Sequence, residues 1–471
     1  MFNIKARDTL RRIKTDGFAG NGSASGHHAA DDDDEMNEYR PLLPHRHTSA
    51  TPESGFWKHL LRNPKSSPGT DSHNPFVRWP AHVWNVTKVT LLSSWINLLL
   101  VFVPLGIVAG KQEWGAPWVF SLNFVAIIPL AAVLSFATEE IASRLGETLG
   151  GLVNATFGNA VELIVSIVAL RAGEIEVVQA AMLGSILSNL LLVLGFCFFL
   201  GGIFNMRDSQ GHGSEQSFAQ GTAQTTCSLM TLASASMILP AALYGVLDKA
   251  DEDHKQESIL LLSRGTAIIL LFLYVLYLYF ALRTHKKLFE PEEQNGENSG
   301  EEEHDPVLGP WAAAIVLVVV TLVISVCADY MVDSIDALVA TGKISKTFIG
   351  LILIPIVGNA AEHVTACVVA VKNKMDLAMG VAIGSSIQIA LLVTPALVML
   401  GWAIGQPMTL HFETFETIAF ALSVLVVTYT VQDGKSNYLE GAMLLGLYII
   451  IALAFWVSPA DALGKVSLLG Q

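Results

Sequence analysis

The 471-residue sequence predicts an all-α polytopic membrane protein of eleven transmembrane helices, one N-terminal helix followed by two inverted five-helix repeats. Three observations predict this class. The chain is 52% hydrophobic and 15% charged, whereas a soluble domain carries about a quarter charged residues. Its apolar runs reach the roughly 20 residues that take a helix across a bilayer. Residues 158–193, shifted by 200, overlay residues 358–393 without a gap.

The elements follow in order. Residues 1–85 are rich in Ser, Gly, Pro, His and charge, hold no signal-like apolar run, and read as a disordered tail. Apolar segments are expected at about 88–109, 117–141, 147–171, 177–201, 225–247 and 258–282, then at about 309–331, 346–371, 377–402, 412–431 and 438–458. The chain thus divides into the tail, an extra first helix (86–110), a first five-helix repeat (111–282), an acidic linker (283–308) and a second repeat (309–471). Five steps separate the matching third and eighth spans, so corresponding helices cross in opposite directions. Secondary transporters are built this way, with their sites near the midplane between the halves.

Basic residues near the span ends orient the chain. Lys58, Arg62, Lys65, Arg78 and Lys88 favour a cytosolic N-terminus, and alternation then places the linker in the cytosol as well. Net charge is −14, from 28 basic and 42 acidic residues, and the acidic excess lies in 31–35, 251–254 and 290–305. No basic run is dense enough for nucleic acid. Cys197, Cys227, Cys327 and Cys367 lie in or beside apolar segments without ligand-like spacing and read as inert thiols.

The chemistry gathers at the repeat. Gly158-Asn159-Ala160 with Glu162 matches Gly358-Asn359-Ala360 with Glu362, and "GSILSNLLLV" (184–193) matches "GSSIQIALLV" (384–393). An ionised side chain at the bilayer centre costs at least about 2.5–3.5 kcal/mol, so a carboxylate there is protonated, paired, or faces water. Two such acids brought together by the repeat axis are neutralised by one divalent cation or by two protons. A pair of that kind carries a cation one way and protons the other. The small and amide-bearing Gly158, Asn159, Gly358 and Asn359 allow close helix approach and local unwinding that frees carbonyl oxygens. Ser185, Ser188, Asn189, Ser385 and Gln388 add oxygens on the following spans, a donor set for a hard cation such as calcium. No soft-metal cluster competes, and no cofactor is expected. The serines also suit plain backbone hydrogen bonding, and the asparagines plain helix contacts. His363, beside the second acid, is either a proton relay or a packed neutral imidazole. Glu139 and Glu140 close the second span, where an acid opposes the helix dipole, and read either as solvated interfacial groups or as an entry point for protons or ions. Asp329 is their looser counterpart in the second half. The linker 290–305 holds eight carboxylates and no Lys or Arg, without the spacing of a chelating loop.

On "GNAVE" and "GNAAEH", each followed by "GSILSN" or "GSSIQI", the chain resembles the calcium/proton exchanger (CAX) family of the calcium/cation antiporter superfamily over about residues 85–460, nearest its vacuolar fungal and plant type. The resemblance implies eleven helices, cation binding by Glu162 and Glu362 with help from Ser385 and Gln388, and proton movement through Glu139 and His363. It assigns an acidic helix to Glu290, Glu292, Glu293, Glu301, Glu302 and Glu303, here interrupted by "NGENSG". Where sodium/calcium exchangers of the superfamily carry Ser/Thr and Pro before the key acid, this chain has Asn and Ala, which favours proton coupling. The expectation is a multi-pass vacuolar antiporter, not an enzyme, that exchanges cytosolic calcium for luminal protons. Regulatory proteins could meet its N-terminal tail, although no residue there identifies one. The rival readings are a sodium-coupled or broad divalent exchanger that also takes manganese, and a cation channel.

Overall fold

The computed structural model describes residues 74–207, 211–247, 252–286, 307–341 and 344–457. Most of the tail and all six glutamates assigned to the acidic helix lie outside these residues. The chain forms two units that divide between Ser94 and Trp95. The described part of the first is helix α1 (Pro75–Leu92), whose N-terminus is capped by Asn74, accepting from the Phe76 amide at 3.2 Å. Helix α1 ends where the Ser93 amide and hydroxyl both turn back onto the Thr90 carbonyl (3.4 and 2.8 Å). The continuous first span expected over 88–109 is therefore interrupted at 93–94.

The second unit starts with a tight turn of helix (Trp95–Val101) that runs into α2 (Phe102–Lys111), followed by α3 (Ala116–Ala142). A broken helix follows, α4 (Gly146–Phe157) and α5 (Ala160–Arg171), and then α6 (Ile175–Leu187), a wide turn at Ser188–Val193, and α7 (Leu194–Phe204). Helices α8 (Gln220–Val246) and α9 (Glu252–Tyr279) end the first half. The second half holds α10 (Pro310–Asp333) and the short α11 (Ile335–Val339). It then has α12 (Lys346–Phe348), a wide turn (Ile349–Leu353), α13 (Ile354–Gly358) and α14 (Ala360–Val371). Helix α15 (Met375–Gln388), a wide turn (Ile389–Val393), α16 (Thr394–Ile404), α17 (Thr414–Thr430) and α18 (Tyr438–Val457) complete it. Two short strands, β1 (Gln216–Ser217) and β2 (Lys435–Ser436), pair antiparallel and join the loop before α8 to the loop before α18.

The 200-residue offset of the sequence recurs in the backbone. Helices α5 and α14 occupy 160–171 and 360–371, and α7 and α16 end at 204 and 404. Each copy also widens after matching helices, α6 in the first and α15 in the second, where i→i+5 bonding sets in. Among the described residues seven helices are long and apolar enough to cross a membrane, or up to nine if each of two paired segments is one span. The most enclosed is Ile175–Phe204, with 72% of its apolar window buried, which makes α6–α7 the centre of the bundle. Lipid offers backbone groups no partner, so they bond within their helices. Hydroxyls follow suit: Ser234, Ser386 and Ser423 each donate to the carbonyl one turn back, at 2.8, 3.0 and 2.7 Å.

Candidate functional site

Both motif helices break at the motif. Gly158 and Asn159 separate α4 from α5, while Asn359 separates α13 from α14 and the helix axis turns by 59° there. Asn159 and Asn359 leave the helical region, with φ/ψ of −97/27 and −92/4, so the local unwinding expected from the sequence is present in both copies. Each break places an acid in the first turn of the next helix, Glu162 in α5 and Glu362 in α14. A helix N-terminus suits an anion there.

The two copies interlock crosswise. A Cβ on Gly358 would lie 2.7 Å from Glu162 Oε1, and one on Gly158 would lie 3.7 Å from Glu362 Oε1 and 3.8 Å from Gln388 Oε1. Each acid thus rests against the motif glycine of the other repeat. The two carboxylates are close enough to feel each other's charge. Glu162 is 3% exposed, whereas Glu362 is half-buried. A narrow apolar cavity lined by Ile127, Val165, Met331 and Ile354 ends on Glu162 and Gly358.

A chain of hydrogen bonds spans the halves beside the acids. Asn189 Nδ2 donates to Ser385 Oγ (3.1 Å), Ser385 Oγ donates to Asn159 Oδ1 (2.8 Å), and Asn159 Nδ2 donates to Gln388 Oε1 (2.7 Å). Asn159 is fixed as donor and acceptor at once, and the Asn189 amide nitrogen is held on Ser385. The symmetry-related set differs. Asn359 and Ser185 are 1% exposed, yet both Asn359 amide atoms and Ser185 Oγ make no hydrogen bond. Glu162 Oε1 and Glu362 Oε2 are likewise buried without a partner. Buried polar groups are ordinarily satisfied, and five orphaned atoms, four at the two helix breaks and one on α6, four of the five able to accept, fit a hard cation that brings its own charge.

His363 follows Glu362, is half-buried, and meets Ser188 Oγ at 3.3 Å through Nε2. The acids at the end of α3 are placed differently. Glu139 is exposed and accepts from Ser135 (3.3 Å). Glu140 is buried and clamps the chain ahead of α10, accepting from the amides of Val307 (3.2 Å) and Leu308 (2.7 Å), while Arg144 donates to the Leu308 carbonyl. The sequence left this Glu pair as solvated interfacial groups or as an entry point, and buried Glu140 does a third thing, holding the Val307 and Leu308 amides. The pairing is invisible in sequence because its partners lie 167 and 168 residues away.

The chain matches the sodium/calcium exchanger protein family over residues 115–283 and 312–457. It is 50% identical over 380 residues to the "Vacuolar calcium ion transporter" of Schizosaccharomyces pombe, covering 80% of this chain and 88% of that one. It is 44% identical over 374 residues to the "Vacuolar cation/proton exchanger 5" of Arabidopsis thaliana, covering 79% and 82%. Among solved structures it resembles the crystal structure of the selenium-substituted Ca2+/H+ antiporter protein YfkE, with a TM-score of 0.63 and 35% identity, over 77% of this chain and 98% of that one.

Proposed function

The chain belongs to the sodium/calcium exchanger protein family, and from that premise we propose that it is a vacuolar-membrane antiporter that moves cytosolic calcium into the lumen against protons. Relatives named as vacuolar calcium transporters and cation/proton exchangers at 44–50% identity support the assignment. The observation that carries the mechanism is the crosswise seating of Glu162 and Glu362, each with a buried oxygen that has no partner. Empty and doubly ionised, the pair repels itself in a dry pocket. One calcium ion neutralises it, and so do two protons. Occupancy by one excludes the other, and that exclusion is what couples the two flows. For the cation's remaining oxygens our candidates are Gln388 and Asn159, which bond each other beside the acids, and Asn359 and Ser185, which are buried without a partner.

The two repeats differ in a way that supports alternating access. On one side Ile349 and Ile352 are buried (0% and 5%) and α13 packs on α6, where a Cβ on Gly184 would overlap the Leu351 carbonyl. Their counterparts Leu149 and Leu152 are 55% and 41% exposed, and a Cβ on Gly384 would meet nothing within 4 Å. The second copy is closed over the site and the first is open. In the opposite state α4 closes on α15. Counting the α4–α5 pair and α17 as spans beside the nine gives the proposed eleven, arranged as an extra helix and two inverted repeats. The N-terminus and linker then face the cytosol, as their basic flanks require.

Reconstitution tests the reading. Purified protein in vesicles with an acid interior takes up calcium, and an uncoupler that collapses the proton gradient stops it. Uptake that survives the uncoupler but needs internal sodium assigns the protein to sodium coupling instead. Flux without any counter-ion assigns it to the channels. In the same vesicles Glu162→Gln and Glu362→Gln each reduce uptake to background while the protein keeps its size-exclusion profile.

A further inference from the structure

The segment closed over the site is fastened at its root. Helix α12 opens that segment, and its first residue, Lys346, places Nζ 2.8 Å from Glu174 Oε2 and 2.6 Å from Asp336 Oδ1. Beside it Thr347, 3% exposed, donates from Oγ1 to Glu176 Oε1 at 3.2 Å. Glu174 and Glu176 belong to the first half, at the N-cap and in the first turn of α6. Asp336 belongs to the second half, in α11. Two neighbouring residues of α12 thus tie it to α6, the helix on which α12 and α13 pack. A side-chain oxygen at an N-cap ordinarily accepts from its own helix. Glu174 makes no such bond and reaches Lys346 instead. The other copy lacks the residues for this fastening. Shifted by 200, Lys346 falls on Gly146, Glu174 on Lys374 and Asp336 on Phe136. A Cβ on Gly146 would meet nothing within 4 Å. Asp376, the counterpart of Glu176, accepts from the Ala219 amide at 2.6 Å. The fastened copy is the closed one, and the copy without the fastening is open.

We propose that Lys346 is a latch: paired with Glu174 it biases the molecule towards the state closed on the α12–α13 side, while Asp336 keeps the lysine when that pair parts. The inference rests on the alternating-access reading and deepens it. In the opposite state α12 and α13 leave α6, so the Lys346–Glu174 pair is made in one state and lost in the other. Only an interaction that differs between two states shifts their balance. The Lys346–Asp336 pair lies within the second half and persists through the change, so release never strands the lysine. The side chains of Lys346 and Glu174 are 27% and 16% exposed, and a pair so placed biases an equilibrium a few-fold without freezing it. In the proposed topology α12 stands at the luminal end. The latch then keeps the filled compartment shut off while the site waits for calcium on the cytosolic side.

The test follows the two states in full-length protein in lipid nanodiscs, where a membrane-impermeant maleimide reaches both faces. A cysteine replaces either Ile352, 5% exposed in the closed copy, or its counterpart Leu152, 41% exposed in the open one. Protein with only its native thiols, three of them buried and one half-buried, gives the background rate. Lys346→Met and Glu174→Gln are each expected to label Ile352→Cys about three-fold faster and Leu152→Cys more slowly. Asp336→Asn leaves the cross-half pair in place and both rates near wild type, and Lys346→Arg keeps the wild-type rates. In vesicles with an acid interior, the apparent calcium KM of Lys346→Met rises by the factor by which Leu152→Cys labelling falls, because fewer molecules face the side of uptake. Unchanged labelling of Ile352→Cys in the Lys346→Met background overturns the latch. So does faster labelling at both positions, which marks a loosened fold instead of a change of state. Wild-type vesicles without proton-driven uptake overturn the antiporter reading, whereas the labelling rates alone decide the latch. Should Ile352→Cys fail to fold, Ile349→Cys, at a position equally buried, takes its place.

Discussion

At the scale of single residues, the site depends on what is missing from two glycines. Gly358 has Glu162 Oε1 where its own Cβ would be, at 2.7 Å. Gly358→Ala therefore pushes the carboxylate off its seat, and calcium uptake should fall about ten-fold or more, which is roughly the rate cost of 1.4 kcal/mol. Gly380, with nothing within 4 Å of its Cβ position, is the control, and Gly380→Ala should transport at the wild-type rate. Equal loss in both variants would remove the steric argument. The acids and glycines were legible in sequence because the repeat marks them. Their crosswise contact was not, because nothing in either motif states which neighbour it meets. Asn189 shows the same limit. Its amide fits an oxygen donor by type, but that its nitrogen donates to Ser385, 196 residues away, is written nowhere in the sequence.

At the scale of elements, α4 and the wide turn that leads into α13 carry the same register and opposite exposure, Leu149 against Ile349 and Leu152 against Ile352. Their sequence counterparts on the following helices, Gly184 and Gly384, are packed and open respectively. A bulky side chain at Gly384 fits the observed state and obstructs its opposite. Gly384→Val should leave thermal stability within a degree or two of wild type but slow turnover several-fold, measured as melting temperature beside uptake rate. A variant that transports normally would show that α4 does not close on α15. Helix breaks were foreseeable, since Gly-Asn in an apolar run frees backbone groups that only a cavity or neighbouring protein can satisfy. Which copy stands open was not, because the two motifs are nearly identical in sequence. The interruption at 93–94 also escaped the apolar pattern: Ser93 and Ser94 sit within a run that hydropathy averages over, while the local hydrogen bonds to Thr90 decide the backbone.

At the scale of the whole molecule, neither half owns a site. Glu162 needs the glycine of the second half, and Asn159 needs Ser385 and Gln388 from it. Co-expressed fragments divided within residues 287–306 should therefore restore uptake when both are present, and either alone should give none. Transport by one fragment would contradict a shared pocket. The class of fold was readable from apolar run length and the 200-residue offset, both properties of the chain as a line. The hydrogen-bond chain between halves belongs to the folded object alone.

The clamp at the end of α3 has a mechanical consequence. Glu140 and Arg144 fasten residues 307–308, just before α10, to points six and two residues ahead of Gly146, where α4 begins. A displacement at the start of α10 therefore reaches the root of α4 directly, as a rope tied near the hinge of a door acts on the door before the frame.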